Sequence, residues 1–248
     1  MKIELSKGIV DIVKEMPAAE SVFQKFGIDY RRTGNLALDF ACREAGVPTE
    51  TVVHSLERAT PPPGGEQASD WNEAPLTDLM KHIVEKHHTY CRGELGRIEQ
   101  HLQKVVRKYG ERHAELRRIQ SLFLKMGNDL KQHLLKEERT LFPMIARLEE
   151  ARSRGTAPPR LPFGTIAHPI RMMFMEHDAG NGELDEIRKL TSGYQVPSDG
   201  DADYQELIER LKGFEQDMKQ HVFLEDGRLF PRAIALEERD VARAGAHS

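Results

Sequence analysis

Two stretches of this 248-residue chain are near copies of one another, and that duplication limits the possible folds more than any other feature. The first reads Asp129-x-x-x-His133-x-x-x-Glu137-Glu138-x-x-Leu141-Phe142-Pro143. The second reads Asp217-x-x-x-His221-x-x-x-Glu225-Asp226-x-x-Leu229-Phe230-Pro231. Among the named positions only Glu138 against Asp226 differs. A second pair of segments repeats upstream: His88 precedes Gly93-Glu94-Leu95-x-x-Ile98, and His177 precedes Gly182-Glu183-Leu184-x-x-Ile187 at the same offsets. This alignment selects His88 over its neighbour His87 as the counterpart of His177. A repeated pair of helix-like segments reads as a duplicated helical hairpin, and two hairpins make an antiparallel four-helix bundle.

The breaks in the chain agree. Long segments are expected at about 77–108, 113–150, 166–190 and 203–239, separated by Tyr109-Gly110-Glu111, Ser153–Gly164 and Ser192–Asp201. Charged residues at 31% and aromatics at 6% suit long helices better than a β-sandwich. Pro61-Pro62-Pro63-Gly64-Gly65 cannot continue a helix and marks a linker. Before it, Ser6 is positioned to cap a helix carrying Ile9, Ile12, Val13 and Met16 on one face and stopped at Pro17. A second helix ends at Gly27, a third spans about Leu36 to Gly46, and a fourth follows Pro48. The expected organisation is all-α: a small helical domain at 1–59, a linker at 60–75, the bundle at 76–240 and a tail at 241–248.

Several function classes lose support. The formal net charge is -4 and no Lys/Arg block stands apart from neighbouring acids, so no nucleic-acid partner is expected. No apolar stretch approaches the roughly 20 residues of a membrane span, and the first residues lack the apolar core of a signal peptide. The two cysteines, Cys42 and Cys91, form no C-x-x-C pair and cannot ligate a cluster or zinc ion alone. A cytoplasmic, reducing compartment is expected. No Ser/His/Asp or Cys/His arrangement is visible.

The repeat carries its own chemistry. Residues four apart on a helix are rotated by about 40° and displaced by about 6 Å, so His133 and Glu137 share a face, as do His221 and Glu225. An antiparallel hairpin brings residues equidistant from its turn to one height. His88 with His133, and His177 with His221, meet that condition. Four imidazoles and two carboxylates would then converge between helices packed roughly 8–10 Å apart. Carboxylates held there need neutralising charge. A pair of metal ions, each with two imidazoles and both bridged by Glu137 and Glu225, supplies it. Nitrogen-rich ligation favours iron, copper or zinc, and carboxylate-bridged bundle sites most often hold iron. The expected cofactor is two non-haem iron ions, carboxylate-bridged and oxo- or hydroxo-bridged, with coordination positions left for a diatomic molecule.

Around this set, Leu-Phe-Pro forms an apolar wall whose proline bends or ends the local turn. Asp129 and Asp217 are candidate acceptors for the histidine ring N–H groups, weighed evenly against solvated ion pairs. Glu176, beside His177, is a candidate proton donor, though such an acid is more often on the surface. His54, His82, His87, His101, His113, His168 and His247 lack repeat partners and read as surface or packing residues. Met172, Met173 and Met175 read as core packing, and Cys91 as a free buried thiol.

The two D-x3-H-x3-E-[E/D]-x2-L-F-P strings, H-I-x4-H from His82 to His88, and Met175-Glu176-His177-Asp178 resemble the RIC (repair of iron centres) proteins, di-iron proteins with a haemerythrin-like bundle. The resemblance implies His88, His133, His177 and His221 as terminal ligands and Glu137 and Glu225 as bridges. It implies a role in restoring iron–sulfur clusters after nitrosative or oxidative stress, redox reaction with NO, and iron–sulfur client proteins as partners. Phe23-Gln24-Lys25-Phe26-Gly27-Ile28-Asp29-Tyr30 resembles the family's small helical module. Where that module usually continues Cys-Cys-Gly-Gly, this chain has Arg31-Arg32-Thr33-Gly34, so any thiol chemistry of that pair is absent. The rival expectation is a haemerythrin-like module that binds or senses O₂ or NO without repair activity. Haemerythrins use H-x-x-x-H, which this sequence lacks.

Overall fold

A computed structural model describes residues 3–16, 18–19, 22–23, 26–28, 30, 36–58 and 70–245. All regular elements among these are helical, apart from an isolated bridge between Gly8 and Ala37. The chain divides into two compact units, residues 1–75 with 223–231, and 76–222 with 232–248.

In the first unit, α1 (Ile9–Glu15), α2 (Leu38–Glu44) and α3 (Thr49–Glu57) are the described helices of the N-terminal part. Ile9, Ile12, Val13, Leu38, Cys42, Val52 and Leu56 are buried, and of the apolar face expected of α1 only Met16, at its C-cap, is partly exposed. Ser6 does not cap α1. The N-cap is Gly8, with no side-chain bond. The Gly8–Ala37 crossing replaces the hydroxyl: Ile9 N–H donates to Leu36 O and Leu38 N–H to Lys7 O, each at 2.9 Å. The open N–H groups of two helix starts are thus satisfied by backbone. Gly46 closes α2 at φ +67, a left-handed conformation that glycine adopts without strain. Arg31-Arg32-Thr33-Gly34 and residues 59–69 lie outside the described residues. The segment expected to be linker contains a helical turn at Asp70–Glu73.

The bundle consists of four rods. Rod α4 joins Leu76–His82, a π-helical segment Ile83–His88, and Thr89–Tyr109. Rod α5 joins Glu115–Lys136, a π segment Glu137–Leu141, and Phe142–Arg154. Rod α6 is Ala167–Leu190. Rod α7 joins Ala202–Leu224, a π segment Glu225–Leu229, and Phe230–Gly245. Helical dihedrals at the joints make each rod continuous. Neither Pro143 nor Pro231 ends its helix. A wider π turn directly precedes each proline, and there the ladder absorbs the missing N–H.

On α4, Cys91, Leu95, Ile98, Leu102, Val105 and Tyr109 are buried in alternating steps of four and three, the stripe of a bundle-facing helix. Leu116, Ile119, Phe123, Met126 and Leu130 on α5 answer them, as do Leu207, Leu211 and Phe214 on α7. Phe123 and Phe214 meet edge to face at 5.6 Å between ring centres. Each fully buried Leu, Ile or Phe contributes about 1.5–3 kcal/mol, so this stripe supplies most of the unit's cohesion. Rod α5 packs on both α4 and α6. Ion pairs close the ring: Lys104–Asp203 (2.6 Å) and Arg210–Glu94 (2.9 Å) join α4 to α7, and Arg188–Glu215 (3.1 Å) joins α6 to α7.

Candidate metal centre

The inward faces of the rods bring His88, His133, Glu137, His177, His221 and Glu225 together, none more than 4% exposed. They form two groups whose ligand atoms lie within 4.8 Å of one another: His88, Glu137, His221 and Glu225, and His133, Glu137, His177 and Glu225. Both glutamates belong to both groups. Glu137 faces two ways, with Oε2 at 3.4 Å from His88 Nε2 and Oε1 at 3.4 Å from His133 Nε2. Nε2 of His88 lies 3.1 Å from Nε2 of His221, and Nε2 of His133 lies 3.0 Å from Nε2 of His177. Glu137 and Glu225 each open a π segment, and His88 closes one. The wider turn changes the azimuth at which the side chains after it leave the rod, a common device at functional sites.

Acceptors behind the rings decide which nitrogen faces inward. His88 Nδ1–H donates to Glu138 Oε1 (2.6 Å), and His133 Nδ1–H donates to Glu176 Oε2 (2.9 Å). Both acceptors are ionised. Burial pushes the Glu138 carboxyl up, but His88 and Arg92 together hold it below its ordinary value. The bond from His133, with help from Lys136, outweighs burial at Glu176 and brings it down to about 2. A carboxylate only accepts, so Nδ1 carries a proton in both rings and Nε2 is the nitrogen that faces the centre, the one able to bind a cation.

This geometry fits a pair of cations. Without one, Nε2 atoms crowd each other at 3.0–3.1 Å with a carboxylate 3.4 Å away, and neither Glu137 oxygen receives a hydrogen bond despite complete burial. Such a group is costly unless neutralised. Two imidazoles bound at about 2.1 Å and a right angle to one ion lie about 3.0 Å apart, close to both observed separations.

The structure decides which imidazoles pair, and it departs from the sequence expectations at Asp129 and Asp217. The close imidazole pairs are not the within-hairpin pairs, His88 with His133 and His177 with His221. They run between hairpins, across α4/α7 and α5/α6. Equal distance from a turn gives height only, whereas azimuth decides which neighbour in a closed ring a side chain meets. Asp129 does not support His133: its side chain is 69% exposed and bonds Lys125. Asp217 accepts instead from Nδ1 of His87 (2.9 Å). Glu176, the candidate proton donor, accepts from Nδ1 of His133 (2.9 Å) and pairs with Lys136, a position that orients the His133 ring.

One contributor escaped the sequence reading. Glu138 stood inside the repeated string, but nothing in a linear motif said that it would reach back to His88. His87 takes the packing alternative of its sequence reading: it is 1% exposed and lies parallel to His221 at 5.9 Å. The Leu-Phe-Pro wall is present, with Phe142 stacked on His88 at 5.8 Å. Of the three methionines Met173 is buried, while Met172 and Met175 are about half exposed.

Comparison with known proteins places this geometry in a family. Residues 79–233 match the hemerythrin HHE cation binding domain, and residues 5–60 match ScdA_N, a domain of unknown function. The iron-sulfur cluster repair protein YtfE of Pectobacterium atrosepticum is 28% identical over 219 residues, covering 88% of this chain and 92% of that protein. The protein of the same name from Yersinia pestis gives the same figures. A probable iron-sulfur cluster repair protein of Haemophilus influenzae is 25% identical over 224 residues, 90% of this chain and 95% of its own. No helix among the described residues is long and apolar enough to cross a membrane. The chain therefore belongs to the haemerythrin HHE cation-binding family, in the two-domain arrangement of the repair-of-iron-centres proteins.

Proposed function

We propose that this chain holds two iron ions between His88, His221, His133, His177 and the shared Glu137 and Glu225, and that it supports repair of iron–sulfur clusters damaged by nitrosative or oxidative stress. The observation that carries the reading is the sharing of both buried glutamates by two otherwise separate His₂ groups, since a carboxylate with one oxygen toward each imidazole pair suits two ions side by side. Mixed imidazole and carboxylate donors favour iron within a helix bundle. The names of the relatives supply the cluster-repair element.

In this reading the iron pair supplies redox chemistry toward NO and O₂. The protein's own groups hold and shield it. Glu138 and Glu176 fix the tautomer and orientation of His88 and His133. Their negative charge, transmitted through the ring, strengthens Nε2 as a donor. Phe142 covers one face of His88 and keeps water from that side. The cytoplasm is the compartment this function calls for. Iron–sulfur proteins are the clients it implies.

Anaerobic reconstitution with ferrous iron, followed by metal counting and an NO-consumption assay, tests the reading. About two irons per chain and consumption of NO are expected. Full iron retention by both His133→Ala and Glu225→Ala would overturn the ligand set. Two irons with reversible O₂ binding and no NO consumption would instead favour a carrier or sensor.

A further inference from the structure

The two halves of the centre differ in their surroundings, although the repeat makes their inner residues alike. Between α5 and α6 a cleft of about 200 Å³ reaches His133 and His177. Ala179 and Gly180 line it from α6, and a Cβ built on Gly180 would meet nothing within 4 Å. Its rim carries the ion pairs Lys136–Glu176 and Lys125–Glu183. A water needs on the order of 10–15 Å³ of such space, so the cleft takes roughly 13–20 waters, enough for a cation with its hydration shell.

The matching face, between α4 and α7, is filled. Where the second repeat has Ala179, Gly180 and Asn181, the first has Tyr90, Cys91 and Arg92. Tyr90 packs on the bundle core, and its hydroxyl lies 3.4 Å from where a Cβ on Gly213 would stand. Gly213 takes the repeat position of Lys125, so the first-repeat tyrosine has room that a longer side chain would remove. Cys91 is fully buried, its Sγ 3.4 Å from Met218 Sδ. Arg92 lies 2.6 Å from Glu138, the carboxylate behind His88.

We propose that the His133/His177 half is the exchangeable part of the centre and the His88/His221 half the retained part. The inference rests on the reading that six residues hold two ions. Ligand exchange at a metal needs incoming water or another donor, and the cleft brings that donor to one imidazole pair only. The chain would therefore surrender one ion readily, and keep the other as an anchor for Glu137 and Glu225.

The test uses the full chain loaded anaerobically with ferrous iron and challenged with excess EDTA. Remaining metal is counted over time after desalting. Two phases of about one metal each are expected, at least 10-fold apart in rate. Gly180→Leu should slow the fast phase at least fivefold and leave the slow phase unchanged, and Tyr90→Ala should speed the slow phase. Anomalous scattering from crystals of half-depleted wild type should leave iron beside His88 and His221. A single phase, an unaltered fast phase in Gly180→Leu, or residual iron beside His133 and His177 would each overturn the inference while leaving the six-residue set intact. Should Gly180→Leu fail to fold, Ala179→Met plugs the same cleft, and the wild-type anomalous map decides alone if neither folds. Wild type loading far below two irons would overturn the ligand set itself and this inference with it.

Discussion

Sharing of Glu137 predicts that its loss and the loss of a single histidine differ in kind. Glu137 belongs to both four-residue groups, whereas His177 belongs to one. An ion that binds only the folded chain stabilises it by RT ln(1 + [L]/Kd), about 2.7 kcal/mol at 100-fold excess over Kd. Two positions then give about 5.4 kcal/mol. For a chain of this length 1 kcal/mol moves Tm by about 2–4 °C, so metal should raise Tm by about 11–22 °C. His177→Ala leaves the His88/His221 group whole and should keep about half of that rise and one ion. Glu137→Gln removes the bridging charge from both groups and should lose nearly all of it. The assay is anaerobic differential scanning calorimetry of each protein with and without ferrous iron, paired with metal counting. Equal losses in the two variants, or no metal-dependent rise in wild type, would refute the shared-carboxylate argument.

Three further outcomes follow from individual contacts. Glu176→Ala removes the acceptor behind His133 and should weaken one metal position by about 10–100-fold and spare the other, read by competition with a chromophoric chelator; uniform weakening of both would contradict it. His113 bridges the two hairpin turns, Nε2–H donating to Asp199 (2.9 Å) and Nδ1–H to Glu115 (3.1 Å), so only the imidazolium serves both acceptors. The bond to Asp199 raises its pKa above the ordinary 6.5, and that to His113 lowers Asp199 below 3.8. The stabilisation is therefore complete between about pH 4 and 6.5, lost as pH rises through the raised histidine value, and lost as pH falls through the lowered aspartate value. The Tm difference between wild type and His113→Gln should follow that window, and a difference that grows in alkali would exclude the bridge. Gly127 has Leu95 Cδ2 at 3.0 Å from its notional Cβ, so Gly127→Val should cost about 1–3 kcal/mol by overpacking α4 against α5, measured by urea denaturation. An unchanged midpoint would mean that the two rods are less closely packed than described.

Helix number, the breaks between helices and the six candidate ligands follow from period and repetition, which are properties of the linear string. A four-residue step puts His133 and Glu137 on one face whatever surrounds them, and duplication does the same for His221 and Glu225. The all-α reading rests on the same periodicity.

Which imidazole meets which, and what stands behind each ring, had to await the packed bundle. A motif gives height along a rod, while the partner depends on azimuth, which π segments before Pro143 and Pro231 alter locally. Asp129 and Asp217 are equivalent in sequence, yet one lies in solvent on Lys125 and the other holds His87. Glu138 and Glu176 became supports for His88 and His133 because adjacent rods carry them there from 50 and 43 residues away. Whether a face is open or filled depends on side chains from two rods together, as with Tyr90 beside Gly213. Local spacing lets the chain declare its ligands, but their partners are set by long-range packing, since the acceptors behind His88 and His133 come from segments distant in the chain.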